Sequence, residues 1–193
     1  MARALEGSSD AYHQLVRRYE RPLLSVIRRM ISDPQVAEDL AQEVFLKAFR
    51  NLKRYDPRRK LSSWLFKIAH NATIDHLRRR RLSTVPLEIQ DRDGDESWDV
   101  HPAPEEEEPD QVAERSEVMR GLSRALGRLK PHYREILLLR FQQGLAYHEI
   151  AEVTGQKMGT VKIQLHRARK RLISELEALG LAPDSLGRMD SSE

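Results

Sequence analysis

Between residues 60 and 81 the chain gathers Lys60, Trp64, Lys67, His70 and Asn71, followed by the run Arg78, Arg79, Arg80 and Arg81. Cations, one aromatic and one side-chain amide are the groups that hold single-stranded nucleic acid. The charges track phosphates, an aromatic face stacks a base at about 1–3 kcal/mol, and an amide hydrogen-bonds the edge of an unstacked base. The plainer alternative is that Trp64 anchors a core and the arginines form a solvated helix end. A second concentration lies between Tyr147 and Arg171. Ala151 is small enough for a close helix crossing, Gly155 can take the positive φ that ends a helix, and Val161 offers an apolar contact back to the first helix. That is the skeleton of a helix-turn-helix, whose second helix enters a DNA major groove. Lys162, His166, Arg167, Arg169, Lys170 and Arg171 follow with no acid among them.

Catalytic chemistry finds no comparable footing. No glycine-rich phosphate loop and no H-E-x-x-H arrangement occurs, and the seven histidines are scattered. His70 and His76 share a basic helix without a third ligand, so no metal and no cofactor is expected. Glu38, Asp39 and Glu43 fall on an exposed helix face. That is a docking surface sooner than an acid–base pair, which needs a cleft and a perturbed pKa. The absence of cysteine removes disulfides, thiolate catalysis and cysteine-based zinc sites. No apolar run reaches the length of a membrane span and no signal-peptide pattern opens the chain, so a soluble cytoplasmic protein without enzymatic activity is expected.

The elements that must carry these groups are helical. Apolar residues recur at three or four along Tyr12, Leu15, Tyr19, Leu23, Ile27 and Met30, with Ser9 or Asp10 as a cap and Pro22 as a kink or break. Asp33-Pro34 then opens a helix to about Leu52. Ser62 or Ser63 is expected to cap a third, from Trp64 to about Arg81. Periodicity resumes after Asp110, a helix restarts at Pro131 and is closed by Gly144, and the last helix ends at Gly180. No stretch alternates as a strand does. With 39% apolar and 6% aromatic residues, the core is aliphatic. The formal charge of +3 conceals a pattern: residues 1–81 hold 18 basic and 9 acidic side chains, residues 82–110 one basic and 11 acidic, and residues 111–193 14 basic and 10 acidic. Two basic blocks point to a polyanionic partner. The expectation is an all-α protein: a helical bundle at 8–81, an acidic flexible linker at 82–110 that contains Trp98, a helix-turn-helix domain at 111–180 and a polar tail at 181–193.

Three segments together resemble a bacterial RNA polymerase sigma factor of the extracytoplasmic-function group in the sigma-70 family. They are AEDLAQEVFLKAF (Ala37–Phe49), SSWLFKIAHNATIDHLRRRR (Ser62–Arg81), and LKPHYREILLLRFQQGLAYHEIAEVTG with MGTVKIQLHRARKRL (Leu129–Leu172). They stand in the family's order and at its spacing. The resemblance implies that Asp39, Gln42 and Glu43, with Phe45 nearby, contact the clamp coiled coil of core RNA polymerase. It implies that Asn71 captures a flipped base of the minus-ten element, within a surface of Lys60, Trp64, Lys67 and His70, and that Arg78 and Arg79 follow upstream duplex phosphates. Thr160, Lys162, Ile163, His166 and Arg167 would face the minus-thirty-five groove, the second domain would meet the polymerase flap, and the acidic linker would occupy the RNA exit path. Promoter DNA, core polymerase and an anti-sigma factor are the implied partners. Lys157 stands where the family usually has proline, and Ile163-Gln164 where it often has Ser-Arg, which favours contact with a thymine methyl. The stretch before Asp10 is short for the family's first helix. The rival is a stand-alone helix-turn-helix regulator, which explains 111–180 but neither the Asp39–Glu43 surface nor the Trp64–Arg81 cluster.

Overall fold

The computed structural model describes residues 9–84 and 112–181, and every regular element among them is helical. The linker from 85 with Trp98, and the tail from 182, lie outside the described residues. Helix α1 (Ser9–Met30) buries Leu15, Leu23, Val26, Ile27 and Met30 along one side. Pro22 does not split it; the helix runs through, and the Pro22 carbonyl accepts a hydrogen bond from Gln143 Nε2 at 3.3 Å. Helix α2 (Pro34–Arg50) starts as its sequence dictates. Asp33 Oδ1 accepts the backbone N–H groups of Gln35 (2.9 Å) and Val36 (3.3 Å), two of the donors a helix start leaves unpaired, and Pro34 needs no partner there. A short 3-10 turn (Leu52–Arg54) and a loop braced by Arg58 on Asp56 lead to α3 (Leu61–Thr84). Because α3 begins at Leu61, Ser62 and Ser63 sit inside it and cap nothing; Ser63 Oγ is buried without a hydrogen-bond partner.

The second half is built from α4 (Val112–Gly127), α5 (Pro131–Leu137), α6 (Tyr147–Thr154) and α7 (Met158–Ala178). Helix α5 does not continue as regular helix to Gln143. It widens into a π-helical turn at Leu138–Gln142, with Gln143 N–H bonded five residues back to Leu138 O (3.0 Å). The Arg140 guanidinium lies over the Tyr147 ring (5.1 Å) and donates to Leu145 O (3.1 Å), which pins the turn. Gly144 and Gly155 follow at φ 66° and 69°, values that glycine reaches without a Cβ clash. Gly155 therefore turns the chain between α6 and α7 as expected. Val161 is fully buried, and Ala151 packs on the same cluster.

The two halves share one buried aliphatic cluster: Leu23, Ile27, Val44 and Phe66 belong to it together with Leu129, Ile136, Ile150 and Val161. At its edge lies Arg134, only 2% exposed. Its guanidinium donates to the carbonyls of Leu126 (2.8 Å) and Gly127 (2.5 Å) at the end of α4, to that of Leu129 (3.1 Å) just past it, and to that of Arg29 (3.0 Å) at the end of α1. Helix C-termini leave carbonyls unpaired and carry partial negative charge, so a cation bonded to these carbonyls satisfies both. Burial lowers the Arg134 pKa to about 10, which still leaves it charged at neutral pH. Arg134→Ala removes four hydrogen bonds and opens a void, and is expected to cost about 3 kcal/mol or more. Urea unfolding of the variant should give a lower midpoint at an unchanged slope; an unaltered midpoint would show that water replaces the guanidinium without loss.

Candidate nucleic-acid interface

Helix α3 divides its residues by face. Leu65, Phe66, Ala69, Ala72, Thr73 and Leu77 are buried, while Lys67, Asn71, Arg78 and Arg79 are exposed. Lys67, Asn71 and Arg78 follow at four and seven residues, so they lie on one stripe. Arg79 Nε donates to Asp75 O (3.3 Å), and Arg78 lies 3.9 Å from the Asp75 carboxylate, a pair that solvent screens. Trp64 is half-buried against Tyr55, with ring centroids 5.3 Å apart, and packs with Leu52. It therefore braces the start of α3, the packing role that the sequence left open.

The structure adds a feature at the near side of this stripe. Lys60 Nζ is 2.9 Å from Glu149 Oε1 on α6, Arg59 Nη1 is 3.4 Å from Glu152 Oε2, and His70 Nδ1 is 2.7 Å from Glu135 Oε1 on α5. Two of the seven candidate groups on the first half thus already face carboxylates of the second. Glu149 also accepts the Ala146 N–H at 2.7 Å, half of a capping box whose other half Ala146 has no side chain to supply. These carboxylates were missed by sequence reasoning. Glu149, three residues after the N-cap Ala146, carried a capping signal; Glu135 and Glu152 carried none.

On α7 the division is cleaner. Thr160, Lys162, Ile163, His166 and Arg167 are all exposed, whereas Val161, Leu165 and Ala168 are buried against the rest of the second half. Ile163 is 56% exposed, an apolar side chain amid cations. On α2, Asp39 and Gln42 are exposed and Glu43 is half-exposed, paired with Lys47 at 2.7 Å. Phe45 departs from expectation: it is buried with Leu15, Ala48 and Leu65, and its 7% exposure leaves no ring for a partner on that face. The next residue, Leu46, is 53% exposed, on the same side of α2 as Asp39, Gln42 and Glu43. Among the described residues no group of histidine, aspartate or glutamate side chains is placed to hold a metal ion, and no described helix is long and apolar enough to cross a membrane.

Two family profiles match the chain, Sigma-70 region 2 over residues 15–82 and Sigma-70, region 4 over residues 119–172. The chain is 30% identical to the ECF RNA polymerase sigma factor SigW of Bacillus subtilis, over 90% of this chain and 93% of that one. It is also 30% identical to the RNA polymerase sigma-H factor of Pseudomonas aeruginosa, over 92% of each. The chain belongs to the extracytoplasmic-function sigma factors of the sigma-70 family. Among solved structures it resembles CnrH in complex with the cytosolic domain of CnrY (TM-score 0.66, 26% identity, 92% of this chain and 94% of that one). It also resembles the sigma factor RpoE of Bartonella quintana in complex with the anti-sigma factor NepR (TM-score 0.67, 26% identity, 86% and 97%). The first half of this sigma factor is thus region 2 and the second half region 4, and the chain is a promoter-specificity factor for transcription initiation.

Glu149 supplies a pH dependence. Burial pushes its carboxyl up, but hydrogen bonds from Lys60 and Ala146 N–H and the charges of Lys60 and His148 outweigh that and hold it below the usual value of 4.5. A carboxyl depressed in the folded state contributes stability that is complete above about pH 4.5 and lost as pH falls through its folded value. Thermal melting followed from about pH 6 down to about pH 3 should show a shallower acid decline for Glu149→Gln than for the parent. Parallel declines would mean that Glu149 keeps the same pKa on unfolding.

Proposed function

We propose that this sigma factor docks on the clamp coiled coil of core RNA polymerase through Asp39, Gln42, Glu43 and Leu46, with region 4 meeting the flap. The α3 stripe then opens and reads the minus-ten element, and α7 reads the minus-thirty-five element. Catalysis belongs to the polymerase. The observation that carries this is the separation on α7 of five exposed groups, Thr160, Lys162, Ile163, His166 and Arg167, from the buried Val161, Leu165 and Ala168 that seat the helix. A recognition helix needs one face committed to its domain and the other left for base edges. Asn71, exposed in the middle of α3, is the group that bonds the edge of a flipped base. A stand-alone helix-turn-helix regulator would not need the region 2 half that the family profile matches. Because CnrH and RpoE are each solved with CnrY or NepR, an anti-sigma partner is part of the proposal. The acidic linker, with 11 acidic residues against one basic, would be an RNA-like occupant of the exit channel.

Run-off transcription by core polymerase over a genomic promoter pool is the direct test: defined starts should occur only with this chain present. Failure of core to bind it would refute the clamp surface. Lys162→Ala or Arg167→Ala should cost about 1–3 kcal/mol on the preferred minus-thirty-five sequence if the residue reads a base. An equal loss on every sequence reduces it to a phosphate contact, of which about six would give a salt slope near −5. Asn71→Ala should impair initiation on duplex templates and be partly relieved on pre-melted ones; equal defects on both would remove its role in opening.

A further inference from the structure

We propose that Ile163, beside an open notch at Gly159 on α7, seats the methyl group of a thymine and so sets the sequence preference of this factor at the minus-thirty-five element. The inference rests on the reading of α7 as the helix that enters that groove. Gly159 and Ile163 stand four residues apart and share a face of the helix. Helical side chains tilt toward the turn N-terminal to them, so Ile163 borders the exposed backbone of Gly159. A Cβ added at Gly159 would have nothing within 4 Å, and its φ is not among the positive ones. Neither crowding nor backbone conformation therefore calls for glycine there, and glycine weakens a helix relative to alanine. What it leaves is room on the outer side for a partner surface to approach the backbone closely. Ile163 flanks that room with a short, branched side chain that is 56% exposed.

The surroundings of Ile163 name the ligand. Its exposed neighbours are Thr160, Lys162, His166 and Arg167, so no apolar patch extends around it for a protein partner to cover. Met158, the other large apolar residue exposed on α7, stands about 140° around the helix. Cations meet phosphates and the acceptors of guanine, whereas the apolar group that a major groove presents is the thymine methyl. Gln164 is the alternative reader of an adenine–thymine pair, because a glutamine amide can donate to adenine and accept from it at once. That contact needs both ends of the amide, and Gln164 Oε1 is buried without a hydrogen-bond partner. Turning the amide over only exchanges which end is buried. Discrimination of an adenine–thymine pair therefore falls on Ile163. Arg167 follows four residues later, about 6 Å along the axis, so the methyl and the base edge that Arg167 reaches lie within about two base steps.

The test uses holoenzyme, assembled from core polymerase and the full chain, on a promoter identified by its run-off start. Each thymine of the minus-thirty-five region, on either strand, is replaced in turn by deoxyuridine, which removes the methyl and keeps every hydrogen-bonding group. One position should lose about fourfold in affinity, the worth of one buried methyl group. In Ile163→Ser, at an exposed site, the same replacement should cost nothing, while Gln164→Ala should keep the loss. A 5-methylcytosine–guanine pair placed there should bind about fourfold better than cytosine–guanine for the parent and no better for Ile163→Ser. Gly159→Ala should melt no lower than the parent, yet bind the thymine promoter more weakly. A minus-thirty-five region with no methyl-sensitive position overturns the proposal, as does a deoxyuridine loss that persists in Ile163→Ser or vanishes in Gln164→Ala. Undiminished binding by Gly159→Ala overturns the notch. A chain that directs no start from any promoter refutes the reading of α7 itself, whereas starts without a methyl-sensitive position refute the methyl contact alone.

Discussion

The guanidinium of Arg134 is the contact on which the arrangement of the two regions turns. It is a buried cation with no carboxylate among its hydrogen-bond acceptors; its charge is balanced by carbonyls at the ends of two helices, α4 in region 4 and α1 in region 2. Carbonyls at helix ends are short of donors and carry partial negative charge, which offsets part of the cost of burying the cation. The next residue in the chain is Glu135, which meets His70 at 2.7 Å. One turn of α5 therefore carries both the anchor that sets region 4 against α1 and the carboxylate that faces α3. Placement of the anchor dictates placement of the carboxylate, since consecutive helical residues stand a fixed 100° apart.

The same economy governs α3 and α7. Each helix uses small and branched aliphatic residues to seat one side: Ala69, Ala72 and Leu77 on α3, and Val161, Leu165 and Ala168 on α7. The opposite side is then available for cations and amides, which could not be buried without partners. The difference between the two lies in what covers them. The exposed side of α7 carries all five of its candidate groups in the open, whereas α3 meets α5 and α6, with His70 and the preceding Lys60 engaged. A net charge near zero per unit length would have hidden this; the chain instead separates basic helices from an acidic linker, and places three isolated carboxylates, Glu135, Glu149 and Glu152, where the basic helix is met.

Legibility in the sequence followed range. Asp33-Pro34, Gly155 and the aliphatic spacing of α1 and α2 act within a few residues, and the helices they mark are present, α2 starting at Pro34 and α6 ending before Gly155. Local signals misled where a tertiary contact competed with them. Pro22 did not break α1, because packing of Leu23, Val26 and Ile27 outweighs one missing backbone bond. The serines before Trp64 did not cap α3, because the helix starts three residues earlier, nearly a full turn, and draws Ser63 into the core. The π-helical turn at Leu138–Gln142 had no sequence mark, since it depends on Arg140 reaching Tyr147 and Leu145 beyond the glycine. Phe45 and Leu46 are adjacent apolar residues, and only the helix phase against α1 and α3 decides which one is buried.

By itself the sequence determined the helices, the division into two basic regions around an acidic linker, the family, and the basic exposed face of α7, because periodicity, turn chemistry and charge runs are local properties of the chain. Tertiary structure alone decided that the two regions share a core, that Arg134 ties the ends of α1 and α4, and that carboxylates of region 4 meet Lys60 and His70. Those pairings join residues 65 to 105 positions apart, from Glu135–His70 to Arg134–Arg29. A glutamate on a polar helix face looks the same in sequence whether it meets water or a lysine from the other region, so nothing in the order of residues distinguishes them until the chain has closed.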